Sequence, residues 1–354
     1  MVYKFLDGTM YGLINEKGQV VTEPKYYSLL MQSEGRTAFL SDNGYGYIDE
    51  AGKELIVFKD IMCFEFREGL AMIEKHGLYG FIDKDFNMVI EPQFEVVLDF
   101  SDGMAVVERN ELRGYIDKEG NLVVDTIYEM ASIFDEGYGC ITVNGKEGFV
   151  NSKGEIVISP KFDSCGNFHC GMATVKSGYK HGYINNEGEF AINPQFDYAE
   201  SFSDDYAAVT LKDKKAFIDT SGRFISDFVF DDTACFNEGH AAVCKEDKNG
   251  EEKWAYINEK GELISGFIFD EAGYFSEGLA SVKINDKYGY IDKEGKMVIE
   301  PIYDSASDFY CYLAETLLDG RSGYIDKHGN EIFRCRNKVN MNRYWQEKNC
   351  VVVF

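Results

Sequence analysis

The sequence predicts an all-β protein, a tandem array of about ten antiparallel β-meander repeats of 34 residues each. Three observations carry this prediction. Close copies of the stretch KYGYIDKEGKMVIEPIYD, found at residues 287–304, recur along the chain. Apolar and polar residues alternate with a period of two, which is typical of strands and not of helices. Turn-forming residues also recur at the same place in each copy, so the copies are expected to share one structure.

The spacing of the copies is measured from the glycine of the Tyr-Gly-Tyr-Ile-Asp stretch, called the mark below. Successive marks are 34 residues apart, except for one step of 39. The marks are Gly12, Gly46, Gly80, Gly114, Gly148, Gly182, Ala216, Ala255, Gly289 and Gly323. The longer step contains the polar stretch 246–253, which predicts a lengthened hairpin tip rather than a domain boundary.

A hairpin is predicted directly after each mark. Asp or Asn occurs three residues after the mark in all ten copies, and Gly follows three residues later in nine, Phe86 being the exception. This pattern favours a type I turn closed by a residue with positive φ. All five prolines lie twelve residues after a mark and are predicted to end the returning strand, because proline donates no hydrogen bond to a sheet. They are Pro24, Pro92, Pro160, Pro194 and Pro301.

Aromatic residues also recur at fixed positions. One follows the mark in nine of ten copies, and two more occur later in most repeats, as at Phe196 and Phe202. A unit of three or four short strands cannot bury them alone, so we expect them to stack against the neighbouring repeat. The array is predicted to span residues 1–333. Residues 334–354 leave the pattern and are predicted to form a C-terminal cap or tail.

The sequence is consistent with two arrangements of the ten units. Propellers usually have four to eight blades, with periods near 40–50 residues in the common classes, so ten units of 34 fit one ring poorly. An open superhelical or solenoid-like stack is therefore the favoured arrangement. A β-propeller-like closure, including two adjacent five-bladed propellers, is the alternative.

Composition narrows the range of partners and compartments. The chain has 36 Lys and Arg against 61 Asp and Glu, a formal net charge of −25, which opposes binding to nucleic acid and to anionic membranes. Nine cysteines, an odd number at no fixed repeat position, favour a reducing compartment. No apolar run has the length of a signal peptide or a membrane span, so the cytoplasm is the expected location.

Candidate chemical sites in the sequence are weak. The recurring Asp and Asn residues are interpreted as turn residues rather than calcium ligands, because the repeat is far longer than in calcium-binding β-solenoids. Cys165, His169 and Cys170 are near enough to suggest zinc, but buried free cysteines fit their repeat positions better. Nucleophile-elbow and phosphate-loop motifs are lacking. The sequence therefore predicts no enzyme, catalytic residue, cofactor or metal.

The pattern x-Gly-Tyr-Ile-Asp-x-x-Gly-x-x-Val-Ile-x-Pro-x-Phe-Asp, followed by Phe-Ser-Glu-Gly-Leu-Ala-x-Val, resembles the WG-repeat (KWG-type) family of bacterial proteins. The resemblance covers residues 1–333. In that family Trp commonly precedes the Gly of the mark, whereas here Tyr is the most frequent residue and the one Trp, Trp254, precedes Ala255. The resemblance implies a β-repeat array used for binding or display, and it supplies no catalytic residues.

The sequence thus leads to a hypothesis of a non-enzymatic repeat scaffold for protein–protein binding through an acidic face. The alternative is a carbohydrate-binding or cell-wall-binding repeat protein, in which exposed tyrosines would stack on sugars. Residues that break the repeat pattern are the candidates for partner binding. They occupy the position before the mark, at Arg113, Glu147, His181, Lys215 and Trp254.

Overall fold

A computed structural model describes residues 1–339 of the protein. These residues form ten small antiparallel sheets and no helix, which confirms the predicted all-β repeat fold. In keeping with this, no helix long and apolar enough to cross a membrane is found among residues 1–339. The sheets are called blades 1 to 10 in chain order.

The strands of blades 1 to 5 are Val2–Asp7 (β1), Met10–Asn15 (β2), Val20–Tyr26 (β3); Ser28–Leu29 (β4), Arg36–Ser41 (β5), Gly44–Asp49 (β6), Glu54–Phe58 (β7); Met62–Arg67 (β8), Leu70–Lys75 (β9), Leu78–Asp83 (β10), Met88–Phe94 (β11); Val96–Val97 (β12), Ala105–Arg109 (β13), Leu112–Ile116 (β14), Leu122–Tyr128 (β15); and Met130–Ala131 (β16), Tyr138–Val143 (β17), Lys146–Asn151 (β18), Ile156–Phe162 (β19).

The strands of blades 6 to 10 are Ser164–His169 (β20), Met172–Ser177 (β21), Lys180–Ile184 (β22), Phe190–Phe196 (β23); Tyr198–Ala199 (β24), Tyr206–Leu211 (β25), Lys214–Asp219 (β26); Asp232–Thr233 (β27), His240–Glu246 (β28), Glu252–Asn258 (β29); Glu271–Ser276 (β30), Leu279–Ile284 (β31), Lys287–Asp292 (β32), Met297–Tyr303 (β33); and Ser305–Ala306 (β34), Ala314–Leu318 (β35), Arg321–Ile325 (β36), Glu331–Arg334 (β37).

A complete blade has a first strand of two or six residues, two strands of five or six residues that form a hairpin, and a returning strand of four to seven residues. The mark lies in the second strand of the hairpin. Blade 1 lacks the first strand, and blades 7 and 8 lack the returning strand. The prediction of three or four strands in each repeat is therefore confirmed.

The turn after the mark forms as predicted. In blade 1 the Oδ1 atom of Asn15 accepts hydrogen bonds from the amides of Lys17 and Gln19, both at 3.0 Å. Gly18 closes the turn with a φ of 73°, and Phe86, the one residue that replaces glycine there, has a φ of 65°. The longer step also has its predicted structure, a lengthened hairpin between β28 and β29 whose tip is built around Asp247.

Glycine is required at the mark because the returning strand passes directly over it. In blade 5, Glu147 pairs with Phe162 and Phe149 pairs with Ile158, so residues 159–161 bulge opposite Gly148 alone. A Cβ atom on Gly148 would lie 2.3 Å from the carbonyl oxygen of Ile158. The prediction that proline ends this strand is wrong, since β19 continues two residues beyond Pro160. The bulge removes the pairing partner of Pro160, so proline is accepted inside the strand.

The two alanine marks lie in the two blades without a returning strand. Ala216 belongs to blade 7 and Ala255 to blade 8, where no bulged strand covers the mark. In these blades a serine hydroxyl accepts a hydrogen bond from the amide of the residue after the mark. Ser226 accepts the amide of Phe217 at 2.9 Å, and Ser265 accepts that of Tyr256 at 3.0 Å. Glycine at the mark therefore indicates a blade with a returning strand, and alanine indicates a blade without one.

The repeated aromatic residues form the core between adjacent blades, as predicted. The rings of Tyr183 in blade 6 and Phe202 in the loop of blade 7 lie 4.8 Å apart. The hydroxyl of Tyr183 also donates a 2.7 Å hydrogen bond to the carbonyl of Glu200. An equivalent hydrogen bond, from a tyrosine hydroxyl to the carbonyl 17 residues later in the chain, is made by Tyr115, Tyr256 and Tyr290. Each tyrosine thus contributes both apolar area and a backbone contact to the next repeat.

The described chain divides into two compact units. The first contains Met1–Asp60, His240–Asn258 and the chain from Glu262 onward, and the second contains Ile61–Gly239 and Glu259–Gly261. Blades 1 and 10 both belong to the first unit and pack together. The rings of Tyr3 and Tyr324 are 5.5 Å apart, and those of Phe5 and Phe333 are 4.7 Å apart.

Blade 1 takes the place of a following repeat for blade 10. The hydroxyl of Tyr324 donates a 2.6 Å hydrogen bond to the carbonyl of Lys4, where other repeats use the residue 17 positions ahead. The preference for an open stack is therefore wrong, because the first and last repeats are in contact as in the β-propeller-like alternative. The last aromatic residues are buried by the first repeat instead of being left at an open end.

Part of the predicted C-terminal cap or tail is described. Cys335 and Val339 are buried, and the amide of Cys335 donates to the carbonyl of Ser322 at 2.8 Å. The Cys335 thiol contacts the carbonyl of Leu6 at 3.3 Å, so this segment lies against blade 1. The assignment of 334–354 as a cap or tail stays a prediction, because residues 340–354 lie outside the described part of the chain.

We expect Phe202→Ala to lower the free energy of unfolding by about 3–5 kcal/mol, because the ring is 3% exposed and the cavity would not refill. Urea unfolding followed by tryptophan fluorescence measures the change. Tyr179→Ala is the control, since that side chain is 95% exposed and its loss should change stability by less than about 0.5 kcal/mol. Equal effects of the two substitutions would contradict the inter-blade core.

We expect Gly148→Ala to lower stability by about 1–3 kcal/mol, because the added methyl group would push β19 away from β18. The matched control is Gly266→Ala, where the new Cβ would lie 3.5 Å from its nearest neighbour, Ile268. Thermal unfolding of the two variants separates the cases. A neutral effect at Gly148 would show that the bulged strand does not fix the mark.

Candidate functional site

The five residues predicted to bind a partner are half-buried and lie in blades 4 to 8, one in each. Their hydrogen bonds, ion pairs and ring contacts join none of the five to another. The structure therefore gives each its own local surroundings rather than one shared site. Their proposed contact with a partner stays a prediction.

Arg113 and Lys215 form ion pairs. The Nε atom of Arg113 lies 2.9 Å from Glu108 Oε2, and the two residues are directly opposite on β13 and β14. The Nζ atom of Lys215 lies 2.7 Å from Asp232 and 3.1 Å from Glu200. Burial lowers the pKa of Lys215, but its hydrogen bonds to the two carboxylates outweigh burial and raise it. Both cations are committed to neighbouring acids.

His181 and Trp254 contribute to packing. The ring of His181 lies 5.3 Å from that of Tyr198 in the next blade. Burial, with Lys176 nearby, lowers the pKa of His181, which favours the neutral ring. Trp254 is half-buried in β29, and its amide donates a 2.8 Å hydrogen bond to the carbonyl of Phe269.

Glu147 meets two cysteines at the junction of blades 5 and 6. Its Oε2 atom accepts the amide of Cys165 at 2.5 Å and lies 3.6 Å from the Sγ atom of Cys140. The neighbouring Cys165 thiol, together with burial, raises the pKa of Cys140. His169 and Cys170 are not part of this group. Nδ1 of His169 lies 3.3 Å from Asp135, and Cys170 is exposed.

Two sets of carboxylates join neighbouring blades. Neither set was predicted, because the chain is acidic throughout. In the first set, an aspartate pairs with a lysine 17 residues earlier, as in Lys146–Asp163 and Lys180–Asp197, both at 2.5 Å. The same spacing joins Lys214 to Asp231, Lys253 to Asp270 and Lys287 to Asp304. The signal was present in the sequence as a lysine two residues before the mark, repeated in register with the acid.

In the second set, a carboxylate accepts a backbone amide 35 residues ahead. Asp102 accepts the amide of Gly137 at 2.8 Å, and Glu136 accepts that of Gly171 at 2.8 Å. The acids of this set have positive φ values near 50°, which few residues adopt without support. Part of the negative charge is therefore used to hold blades together.

A cavity of about 400 Å³ lies in the first unit, bordered by blades 1, 2 and 10. Most of its wall is apolar and consists of Met1, Val2, Leu6, Leu13, Leu30, Met31 and Leu313. Four tyrosine rings add to the wall, from Tyr3, Tyr11, Tyr310 and Tyr324. Its charged lining residues are Lys4, Asp308 and Glu315. The Asp308 carboxylate accepts a hydrogen bond from the Ser281 hydroxyl at 3.3 Å, and that of Glu315 accepts one from the Ser322 hydroxyl at 3.0 Å. Burial, together with Cys311 and Glu16, raises the pKa of Tyr3 to about 12, so its hydroxyl stays neutral.

This cavity was not predicted, because it depends on the contact between the first and last repeats. Its volume is within the range of small-ligand sites, and a few polar groups among apolar side chains are the usual lining of such sites. Two of the four tyrosine hydroxyls are already engaged, since Tyr3 donates to the carbonyl of Cys311 at 2.5 Å and Tyr324 donates to that of Lys4. The lining is therefore suited to an apolar group, with two acidic residues beside it.

The fold and this site define a tandem-repeat protein of the β-propeller-like class. The sequence matches the family described as WG containing repeat, so the chain belongs to that family. The nine matched segments are 11–44, 45–79, 79–112, 114–146, 148–180, 182–214, 216–248, 254–288 and 288–314. The tenth copy, with its mark at Gly323, lies beyond them. No curated protein matches the sequence.

Three solved structures are similar to the chain to different degrees. A crystal structure of a eukaryotic initiation factor has a TM-score of 0.54 at 13% identity, covering 94% of each chain. Hsv2p of Kluyveromyces lactis has a TM-score of 0.38 at 10% identity, covering 72% of this chain and 93% of that one. The tricorn protease has a TM-score of 0.34 at 10% identity, covering 94% of this chain and 46% of that one. The first likeness shows the fold alone, and the other two are too low to support a conclusion.

We expect Asp270→Asn to flatten the pH dependence of stability in acid. Hydrogen bonds from Lys253 and from the amide of Asn285 lower the pKa of Asp270 in the folded protein. The stabilising contribution of the Asp270 carboxylate is therefore complete above the pKa of an unfolded aspartate, about 4. It is lost as the pH falls through the lowered pKa of the folded protein. Urea midpoints measured from about pH 7 to about pH 2.5 should fall more steeply for the wild type than for the variant.

Asp125→Asn is the matched control, because Asp125 is an exposed aspartate of β15. Its acid profile should follow that of the wild type. Parallel profiles for the wild type and Asp270→Asn would contradict a stabilising pair between Lys253 and Asp270.

Proposed function

We propose that the protein is a non-enzymatic scaffold that binds a segment of another protein in the cavity between blades 1, 2 and 10. The apolar cavity with two carboxylates in its lining is the observation that carries this proposal. An apolar side chain entering this recess would lose contact with water at little conformational cost to a preformed wall.

The chemistry of the cavity favours one kind of segment. A large apolar side chain matches the Met, Leu and Val lining, and a neighbouring Lys or Arg matches Asp308 and Glu315. The net charge of −25 would attract such a basic segment from a distance and would make association faster at low salt. The proposed partner is therefore a protein with an exposed basic and apolar segment, not a nucleic acid or a membrane.

The cytoplasm is the proposed location and a bacterium the proposed source. Nine cysteines at scattered repeat positions support a reducing compartment. The resemblance of the repeat to KWG-type proteins supports the source. No catalytic group or cofactor is part of the proposal.

Carbohydrate binding is the second candidate function. Tyr310 lines the cavity and Tyr312, two residues further on, has a side chain that is 75% exposed. Such rings can stack on sugars, and Asp308 and Glu315 could accept hydrogen bonds from sugar hydroxyls. This reading uses the same cavity, so one set of variants tests both functions.

We expect Met31→Lys to weaken binding of selected peptides at least tenfold, because it adds a cation to the apolar rim and repels a basic segment. Peptides would be selected from a displayed random library against the full chain, and affinities measured by fluorescence polarisation at low and high salt. The selected peptides should pair Lys or Arg with a large apolar residue. Met130→Lys is the matched control, since Met130 is 51% exposed and Met31 is 55% exposed.

Equal binding by both variants would place the peptide site elsewhere and contradict the proposal. Failure to select any peptide, together with retention on a glycan array that Met31→Lys abolishes, would favour the carbohydrate function instead.

A further inference from the structure

The junction of blades 5 and 6 combines three exceptions to the repeat. Cys140 lies eight residues before the mark, Glu147 one before it and Cys165 seventeen after it. In the repeat marked by Gly182 the same positions carry Thr174, His181 and Ala199. In the repeat marked by Gly46 they carry Ala38, Tyr45 and Cys63. Among the described repeats, only the one marked by Gly148 has metal-ligating side chains at all three positions.

The fold brings these three side chains together. The two Sγ atoms and a carboxylate oxygen of Glu147 all lie within 4.8 Å of one another. The distance from Cys140 Sγ to Glu147 Oε2 is 3.6 Å. Two ligands of one tetrahedral zinc, with bonds of about 2.3 Å to sulfur and 2.0 Å to oxygen, would be about 3.5 Å apart. The observed separation therefore matches an edge of a zinc tetrahedron.

The carboxylate is also held in place by the backbone. The amide of Cys165 donates to Glu147 Oε2 at 2.5 Å, so the strand that supplies one thiol orients the oxygen ligand. Cys140 is buried, and Cys165 and Glu147 are half-buried. Outer hydrogen bonds of this kind are typical of metal ligands.

We propose that Cys140, Glu147 and Cys165 bind one zinc-class divalent ion between blades 5 and 6. On binding, each thiol gives its proton to solvent, and the ion bonds to two thiolates and one carboxylate oxygen. Water takes the fourth tetrahedral position. Two sulfur ligands select Zn²⁺ or Co²⁺ over Mg²⁺ and Ca²⁺, which require oxygen ligands. The ion would tie β17 and β18 of blade 5 to β20 of blade 6.

Cobalt titration of the full chain tests this site. Co²⁺ added to the reduced, metal-free protein should give visible thiolate–cobalt absorption that saturates at one equivalent and is abolished by Zn²⁺. Cys140→Ala and Cys165→Ala should each remove the absorption, and Glu147→Gln should weaken binding at least tenfold. Alanine occupies the corresponding positions in other repeats, at Ala208 and Ala199, so both cysteine variants are expected to fold.

Cys63→Ala is the matched control, because Cys63 has the same repeat position as Cys165 but its repeat carries Ala38 and Tyr45. It should bind Co²⁺ like the wild type. Protection of Cys140 and Cys165 from alkylation by Zn²⁺, read by mass spectrometry in the wild type, gives a measure that does not depend on variants. Absence of cobalt absorption at one equivalent, or its persistence in Cys140→Ala, would overturn the site.

Discussion

The repeat depends on the close approach between the mark and the returning strand. The carbonyl oxygen of Ile158 lies where a Cβ atom of Gly148 would be, and the same approach recurs at Gly80, Gly182 and Gly289. Only a residue without a side chain lets the bulged strand complete the sheet. The bulge in turn admits proline, and it brings the aromatic residue that follows the proline back into register at Phe162. This one steric condition therefore explains why the glycine, the proline and the aromatic residue recur at fixed positions in the repeat.

The junctions between blades are held by two different means. Aromatic rings supply buried area, and tyrosine hydroxyls and carboxylates supply directional bonds to the next blade. Asp163 shows how much one acid can contribute, because it pairs with Lys146 and also accepts the amide of Gly178 at 2.6 Å. A hydrogen bond from Lys146, and then one from Gly178, lower its pKa. The acidity of the chain is therefore in part structural.

Local structure could be predicted from the sequence, because turns and strand alternation depend on neighbouring residues. Asn15 with Gly18, and the aromatic pair of Tyr183 and Phe202, behave as their spacing indicates. The fate of Pro160 could not be predicted, since a bulge depends on pairing with another strand. The contact of Tyr324 with Lys4 joins the two ends of the described chain, and the 34-residue period alone does not specify where an array closes. The cavity follows from that contact, so it could not be predicted either.

The bond from Tyr324 to Lys4 joins the last described repeat to the first. The equivalent bonds from Tyr183, Tyr256 and Tyr290 each join a repeat to the one that follows it, and such a rule by itself would allow the chain to be extended without limit. Here the first strand occupies the acceptor position that an eleventh repeat would need. A duplicated unit at the end of the array would have to break the hydrogen bond from Tyr324 to β1. It would also have to separate the ring of Tyr3 from that of Tyr324 and the ring of Phe5 from that of Phe333.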